Sequence, residues 1–113
     1  MITRYKIKNP RVIEAIRYWG TDESFDEAAK FTHQTFDPDS KAKYIQEEMF
    51  PIHNFIGQSK VAIVGDYIVK TSRLSSDFDV YKPDIFESIY EQVHWYVESR
   101  YKKVWREYEF KYT

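Results

Sequence analysis

The chain has 113 residues and a net charge of −1, from 17 Lys plus Arg against 18 Asp plus Glu, and it contains no cysteine. This length predicts a single domain, and the lack of cysteine excludes disulfides, thiolate nucleophiles and cysteine-ligated zinc. Neither a signal-peptide pattern nor an apolar run of about 18 residues occurs, so we expect a soluble cytoplasmic protein.

The first predicted strand covers residues 11–19 and ends at Gly20-Thr21-Asp22. Its period-2 alternation puts apolar side chains on both faces, which predicts that both faces are covered. These side chains are Val12, Ile16 and Tyr18 on one face and Ile13, Ala15 and Trp19 on the other.

Two short helices are predicted next. Ser24 and Glu27 fit a capping box that opens a helix to about Thr32, with an inward face of Phe25, Ala28 and Ala29. After a turn at residues 36–40, residues 41–50 favour a second helix that Pro51 ends.

Three short strands are predicted to form a meander over residues 60–81. Residues 60–64 and 67–71 are rich in β-branched and aromatic residues and flank Gly65-Asp66. A glycine there suits the positive φ of a primed turn, which predicts a hairpin. Residues 78–81 are the expected third strand.

A long amphipathic helix is predicted from Pro83 onward, because no Gly or Pro follows before Thr113 and apolar residues recur with a helical period. Residues 84–108 would extend about 37 Å, beyond a compact domain of this size. We therefore expect a second copy to cover the overhang in a homodimer, or a break near residues 98–103 that folds the tail back onto the sheet. The predicted dimer interface is Val97, Tyr101, Val104, Trp105 and Tyr108.

The predicted fold class is therefore α+β, in one domain over residues 1–113. A small antiparallel sheet, made of the first strand and the meander, would pack with one or two short helices and the long C-terminal helix. Residues 92–113 would form a helical extension of that domain.

Charge is segregated along the sequence. Thr21 to Glu91 contains 14 acidic and 7 basic residues, whereas the two ends together hold 10 basic and 4 acidic residues. Such an arrangement can create opposed surface potentials that steer partners, unless the charges interleave in the fold. The candidate acidic contacts are Asp22, Glu23, Asp26, Glu27, Glu47, Glu48, Asp77 and Asp79.

A basic and aromatic mixture near the C-terminus supports a different interpretation, nucleic-acid binding. On the predicted helix, Trp95 lies opposite the apolar stripe. The alternative interpretation is that cations near a helix C-terminus stabilise its dipole. The candidate nucleic-acid contacts are Trp95, Arg100, Lys102, Lys103 and Arg106.

Enzyme motifs are absent from the sequence. His33, His53 and His94 are too far apart to suggest a local metal centre, and no phosphate-binding glycine loop or nucleophile elbow occurs. Paired carboxylates occur only in polar stretches, where nothing would raise a pKa for acid catalysis. We expect no enzyme activity, no cofactor and no metal.

Three blocks resemble a group of small uncharacterised bacteriophage proteins with a Gly-Asp-aromatic hairpin followed by Lys-Pro-Asp-Ile-Phe-Glu. The blocks are residues 9–15, 64–70 and 81–91, about 25 of the 113 positions. The sequence departs from the group at Val64, where proline is usual, over the longer segment 36–59, and after Glu91. The resemblance implies a phage or prophage origin and a small α+β scaffold, but no reaction.

A non-enzymatic inhibitor of a host defence protein is the function that this resemblance and the acidic segment favour, with a CRISPR effector nuclease as the expected target. Small phage proteins without enzyme motifs commonly act by blocking a host component, in the host cytoplasm. The alternatives are a nucleic-acid-binding phage protein and a capsid or tail accessory protein.

Overall fold

A computed structural model of the protein describes residues 12–54, 58–70, 77–92 and 103–107. The elements in chain order are β1 (Val12–Arg17), α1 (Asp22–Phe31), α2 (Pro38–Gln46), β2 (Met49–Ile52), β3 (Lys60–Ile63), β4 (Tyr67–Lys70), β5 (Phe78–Tyr81), α3 (Pro83–Ile89), β6 (Tyr90–Gln92) and β7 (Lys103–Glu107). A five-stranded antiparallel sheet has the order β5-β4-β1-β7-β6, and β2 and β3 form a second, two-stranded sheet. The predicted α+β class is confirmed.

The five-stranded sheet is covered on both faces, because β1 in its centre is apolar on both sides. Ile16 and Tyr18 belong to a core shared with α1, α2 and the two-stranded sheet. Ile13 and Ala15 lie on the opposite face, in a second core that includes Phe86 of α3. Both predicted faces of the first strand are therefore buried, apart from the exposed Val12 and Trp19 at its ends.

Helix α1 begins three residues earlier than predicted. Thr21 is the N-cap and its hydroxyl accepts a hydrogen bond from the Ser24 amide (3.0 Å). Ser24 is the third helical residue, and its hydroxyl accepts from the Trp19 amide (2.8 Å). Thr21 therefore caps α1 three residues upstream of the predicted Ser24, and Ser24 binds an amide that precedes the helix instead of acting as its N-cap.

Helix α2 also begins early, at Pro38, with Asp37 as the N-cap. The predicted extension to Phe50 is wrong, since the helix ends at Gln46 and Met49–Ile52 is a strand. Pro51 is tolerated in β2 because its carbonyl faces the side chain of Gln34 (3.0 Å), so its missing N–H lies on the edge away from β3.

The predicted meander is wrong in one pairing. β3 pairs with β2 and not with β4, which pairs with β1 and β5. Gly65 does have a positive φ (98°), but it joins two sheets and not the arms of one hairpin. Asp66 is 2% exposed and organises this corner, because its carboxylate accepts from the Ile63 amide (3.0 Å) and binds Lys82 (3.2 Å).

The predicted long C-terminal helix is wrong. Helix α3 spans seven residues and ends at Ile89, and the chain continues directly into strand β6. Lys103–Glu107 is strand β7, an interior strand of the sheet that pairs with β1 and β6. No helix among the described residues is long and apolar enough to cross a membrane.

Candidate binding surfaces

Helices α1 and α2 form an acidic layer on one side of the sheet. Between Thr21 and Glu48 the sequence has eight carboxylates and three lysines, a balance of −5. Seven of these carboxylates are exposed, and Glu27 is half-buried. This layer contains six of the predicted acidic contacts: Asp22, Glu23, Asp26, Glu27, Glu47 and Glu48.

One lysine of α2 connects the two helices of the acidic layer. Lys41 lies 2.9 Å from a carboxylate oxygen of Asp26 and 3.6 Å from one of Asp22. The hydrogen bond to Asp26 is the main cause that raises the pKa of Lys41. The side chains of Asp22 and Asp26 are still 83% and 67% exposed, so both remain available to a partner.

The other two predicted acidic contacts lie away from these helices. Asp79 is in β5 at the edge of the large sheet, where its carboxylate binds Lys60 of β3 and accepts from the Val80 amide. Asp77 precedes the same strand and is half-buried. We conclude that Asp79 has a structural role in holding β3 to β5.

The predicted basic contacts do not share a helix. Lys103 is exposed and lies in β7, while Arg106 binds Glu91 of β6 at 2.7 Å. Trp95, Arg100 and Lys102 lie outside the described residues. Of this set, Lys103 is therefore the cation without a carboxylate partner among the described residues.

The structure removes the argument for the predicted dimer interface. Val104 is 7% exposed in its own subunit, and Trp105 packs against the core beneath α3. Val97, Tyr101 and Tyr108 lie outside the described residues. Since Val104 and Trp105 belong to a strand and already have cover, they no longer argue for a second copy.

A cluster around Arg17 was missed by the sequence reasoning. The guanidinium carbon lies 4.5 Å from the ring centre of Trp19 and 5.1 Å from that of Tyr67. Its Nε donates to the Gly65 carbonyl (2.9 Å), and a terminal nitrogen lies 3.6 Å from Glu87. The available signal was an arginine on the same strand face as Trp19, because side chains two positions apart in a strand lie side by side.

Glu87 completes this cluster from helix α3. The Tyr67 hydroxyl donates to its carboxylate (3.0 Å). Burial, followed by this hydrogen bond, raises the pKa of Tyr67. The Arg17 guanidinium thus contacts two aromatic rings and a carboxylate, which hold it in one position. Arginine, tryptophan and tyrosine are the residue types enriched in binding hot spots.

A cleft of about 340 Å³ lies beside this cluster. Trp105 forms part of it, with its ring 5.5 Å from that of Tyr67 and nearly perpendicular. Its described lining residues are Ala15, Ile16, Arg17, Trp19, Glu27, Tyr67, Gln92, Lys103 and Trp105.

A second depression, of about 410 Å³, lies at the start of α2. Asp37 lines it, and the hydrogen bond from the Ser40 amide lowers the pKa of that carboxyl. Gln34 also lines this depression, but its amide already forms hydrogen bonds with the Pro51 carbonyl and the His53 amide at the edge of β2. Among the described residues no group of three His, Asp or Glu side chains could hold a metal ion.

Comparisons with known proteins return no match: no family model, no curated protein and no solved structure resembles this chain significantly.

Proposed function

We propose that the protein is a non-enzymatic inhibitor that uses its acidic helical layer to bind a basic surface of a host defence protein. The proposed target is the nucleic-acid groove of a CRISPR effector nuclease. Such a groove must be positively charged to hold a nucleic-acid backbone. A protein with a compact layer of carboxylates can compete for it.

The observation that carries the proposal is the exposure of the α1 carboxylates. The side chains of Asp22 and Asp26 are 83% and 67% exposed even though both contact Lys41. Carboxylates on a surface steer association with a basic partner, and they act mainly on the association rate. The resemblance to phage proteins supports the biological setting.

Plaque formation on bacteria with an active CRISPR system tests this function. We expect expression of the protein to restore plaques of a targeted phage. Reversing the charges of Asp22, Glu23, Asp26 and Glu27 to lysine should abolish that effect. Unchanged plaque numbers with the native chain would contradict the CRISPR target.

A matched pair of single variants tests the contact surface. Glu23 and Asp84 are both exposed and both lie in the first turn of a helix, α1 and α3 respectively. Lysine at either position therefore costs similar helix-dipole energy. We expect Glu23→Lys to weaken association with the purified nuclease by roughly three- to tenfold at low salt, and Asp84→Lys to leave it unchanged. Equal effects would exclude α1 as the contact.

Mobility-shift titration at two salt concentrations separates this function from nucleic-acid binding. The inhibitor should bind free DNA and RNA weakly at both concentrations. Tight binding that falls steeply with salt would favour the alternative instead.

A further inference from the structure

The cleft beside Arg17 has a chemistry that differs from that of the acidic layer. Its described charged lining consists of two cations, Arg17 and Lys103, and one carboxylate, Glu27. Gln92 adds an amide group. An anionic group would therefore meet more donors than acceptors in this cleft.

Trp105, whose indole lines the same cleft, carries a donor that is unsatisfied among the described residues. Nε1 of Trp105 is buried and makes no hydrogen bond within the part of the chain that the structure describes. A buried donor without an acceptor costs roughly 1–3 kcal/mol. Since that nitrogen has almost no accessible surface, a ligand in the cleft would reach it only if the indole ring moved.

The cleft also offers aromatic surface. The Trp19 side chain lies at its rim and is 55% exposed. The Arg17 guanidinium contacts the rings of Trp19 and Tyr67, and these contacts hold the Trp19 ring in place. A preordered tryptophan at the mouth of a cleft can stack on a flat ring with little loss of conformational entropy.

We propose that this cleft binds an aromatic anion, meaning a flat ring that carries a carboxylate or a phosphate. The ring stacks on Trp19, and the anionic group binds Lys103 beside the Trp105 indole. Arg17, which is already paired with Glu87, positions Trp19. Two sources share this chemistry, a nucleoside monophosphate and an aromatic carboxylate, and a volume of about 340 Å³ is in the range of small-molecule sites. This inference does not depend on the proposed inhibitor function.

Nuclear magnetic resonance of the full chain tests the proposal through the indole N–H signals. The probes are adenosine monophosphate, benzoate, adenosine, acetate and inorganic phosphate. Trp105→Phe identifies the signal of Trp105 by its disappearance. We expect both aromatic anions to shift that signal in a saturable way, and whichever of the two binds more tightly identifies the source.

The single-feature probes provide the sharpest control. Adenosine has a ring without charge, and acetate and phosphate have charge without a ring. We expect each to bind at least about tenfold more weakly than the corresponding aromatic anion, since base stacking alone contributes about 1–3 kcal/mol. Equal binding of phosphate and adenosine monophosphate would overturn the proposal, and so would the absence of a saturable shift with every probe.

Variants at exposed positions complete the test without threatening the fold. Lys103→Glu should weaken binding of the aromatic anions at least about tenfold, because it reverses a charge beside the anion. Lys43→Glu, a matched exposed lysine on α2, should leave binding unchanged. Trp19→Ala should weaken binding by roughly tenfold through lost stacking. If the two lysine variants bind alike, the cleft is not the site.

Discussion

Buried polar groups mark the junction between β1 and the two-stranded sheet. Tyr18 is fully buried, and its hydroxyl donates to the Met49 carbonyl (3.2 Å). Asp66 is also buried and fixes the corner before β4. Since β1, β2 and β4 meet there, each of these two residues affects more than its own strand.

The Tyr18 phenol should make stability depend on alkaline pH. Burial raises its pKa from 10.0 to about 12, so between those values the folded protein holds a proton that the unfolded chain has released. The stabilisation is fully present below pH 10 and is lost as pH rises toward 12, by up to about 3 kcal/mol. Urea unfolding at several alkaline pH values measures this loss.

Tyr18→Phe is the control for that measurement. It removes the titrating group and should flatten the alkaline dependence, while costing about 1 kcal/mol at neutral pH for the lost hydrogen bond. The same alkaline slope in both proteins would assign the effect to another tyrosine, such as Tyr67.

Asp66→Asn should destabilise the fold by about 1–2 kcal/mol. The asparagine keeps an acceptor for the Ile63 amide but loses the charge that binds Lys82, and the cost is moderate because Lys82 is half exposed. Equilibrium unfolding in urea measures it. Asp84→Asn, at an exposed position two residues after Lys82, should change stability by less than about 0.5 kcal/mol. If both variants lose the same stability, the contacts of Asp66 do not stabilise this corner.

Two side-chain amides form hydrogen bonds with backbone groups at the open edges of strands. Gln34 donates to the Pro51 carbonyl and accepts from the His53 amide, as a neighbouring strand would. Asn54 does the same for Phe78, donating to its carbonyl (2.9 Å) and accepting from its amide (2.8 Å). These contacts satisfy backbone groups that would otherwise be open to pairing with other chains.

Gln34→Glu should destabilise the protein by about 1–2 kcal/mol, because it replaces a donor with a carboxylate oxygen that faces the Pro51 carbonyl. Urea unfolding checks this value. Gln46→Glu makes the same chemical change at an exposed position and should have little effect. If Gln34→Glu leaves the stability unchanged, the hydrogen bond from Gln34 to the Pro51 carbonyl does not stabilise β2.

Helices and strands were predictable where local signals agreed with packing. β1 and α1 have the expected faces, because the apolar residues of each follow one period and the cores lie on those sides. Residues 84–108 fit a helical period, yet Lys103–Glu107 is a strand. Pairing with β1 decided its conformation, and no local pattern reports such a distant partner.

The whole molecule places an acidic layer next to a cleft with two cations, and Glu27 borders both. The candidate acidic residues of α1 and α2 share one layer because both helices pack on the same face of the sheet. Arg17 and Lys103 share a cleft because β1 and β7 are neighbours. The first grouping follows from closeness in sequence, whereas the second requires the fold.

Lys41→Met should strengthen binding to a model polycation, poly-lysine, by roughly two- to fivefold at low salt. The change frees Asp22 and Asp26 from their shared cation. Fluorescence anisotropy at low and high salt measures it, and salt should abolish the gain. Lys43→Met changes net charge equally and should have a smaller effect; equal gains would mean that net charge alone controls binding.

The sequence by itself determined the α+β class, the two-sided burial of β1, the positive φ of Gly65 and the acidic character of α1. These features depend on periodicity, composition and backbone sterics within a few residues. The tertiary structure alone decided that β3 pairs with β2, that β7 is an interior strand of the sheet, and that Arg17 meets Trp105 at one cleft. Those outcomes depend on contacts between residues up to about 90 positions apart, whose energies exceed the local preferences that a sequence pattern expresses.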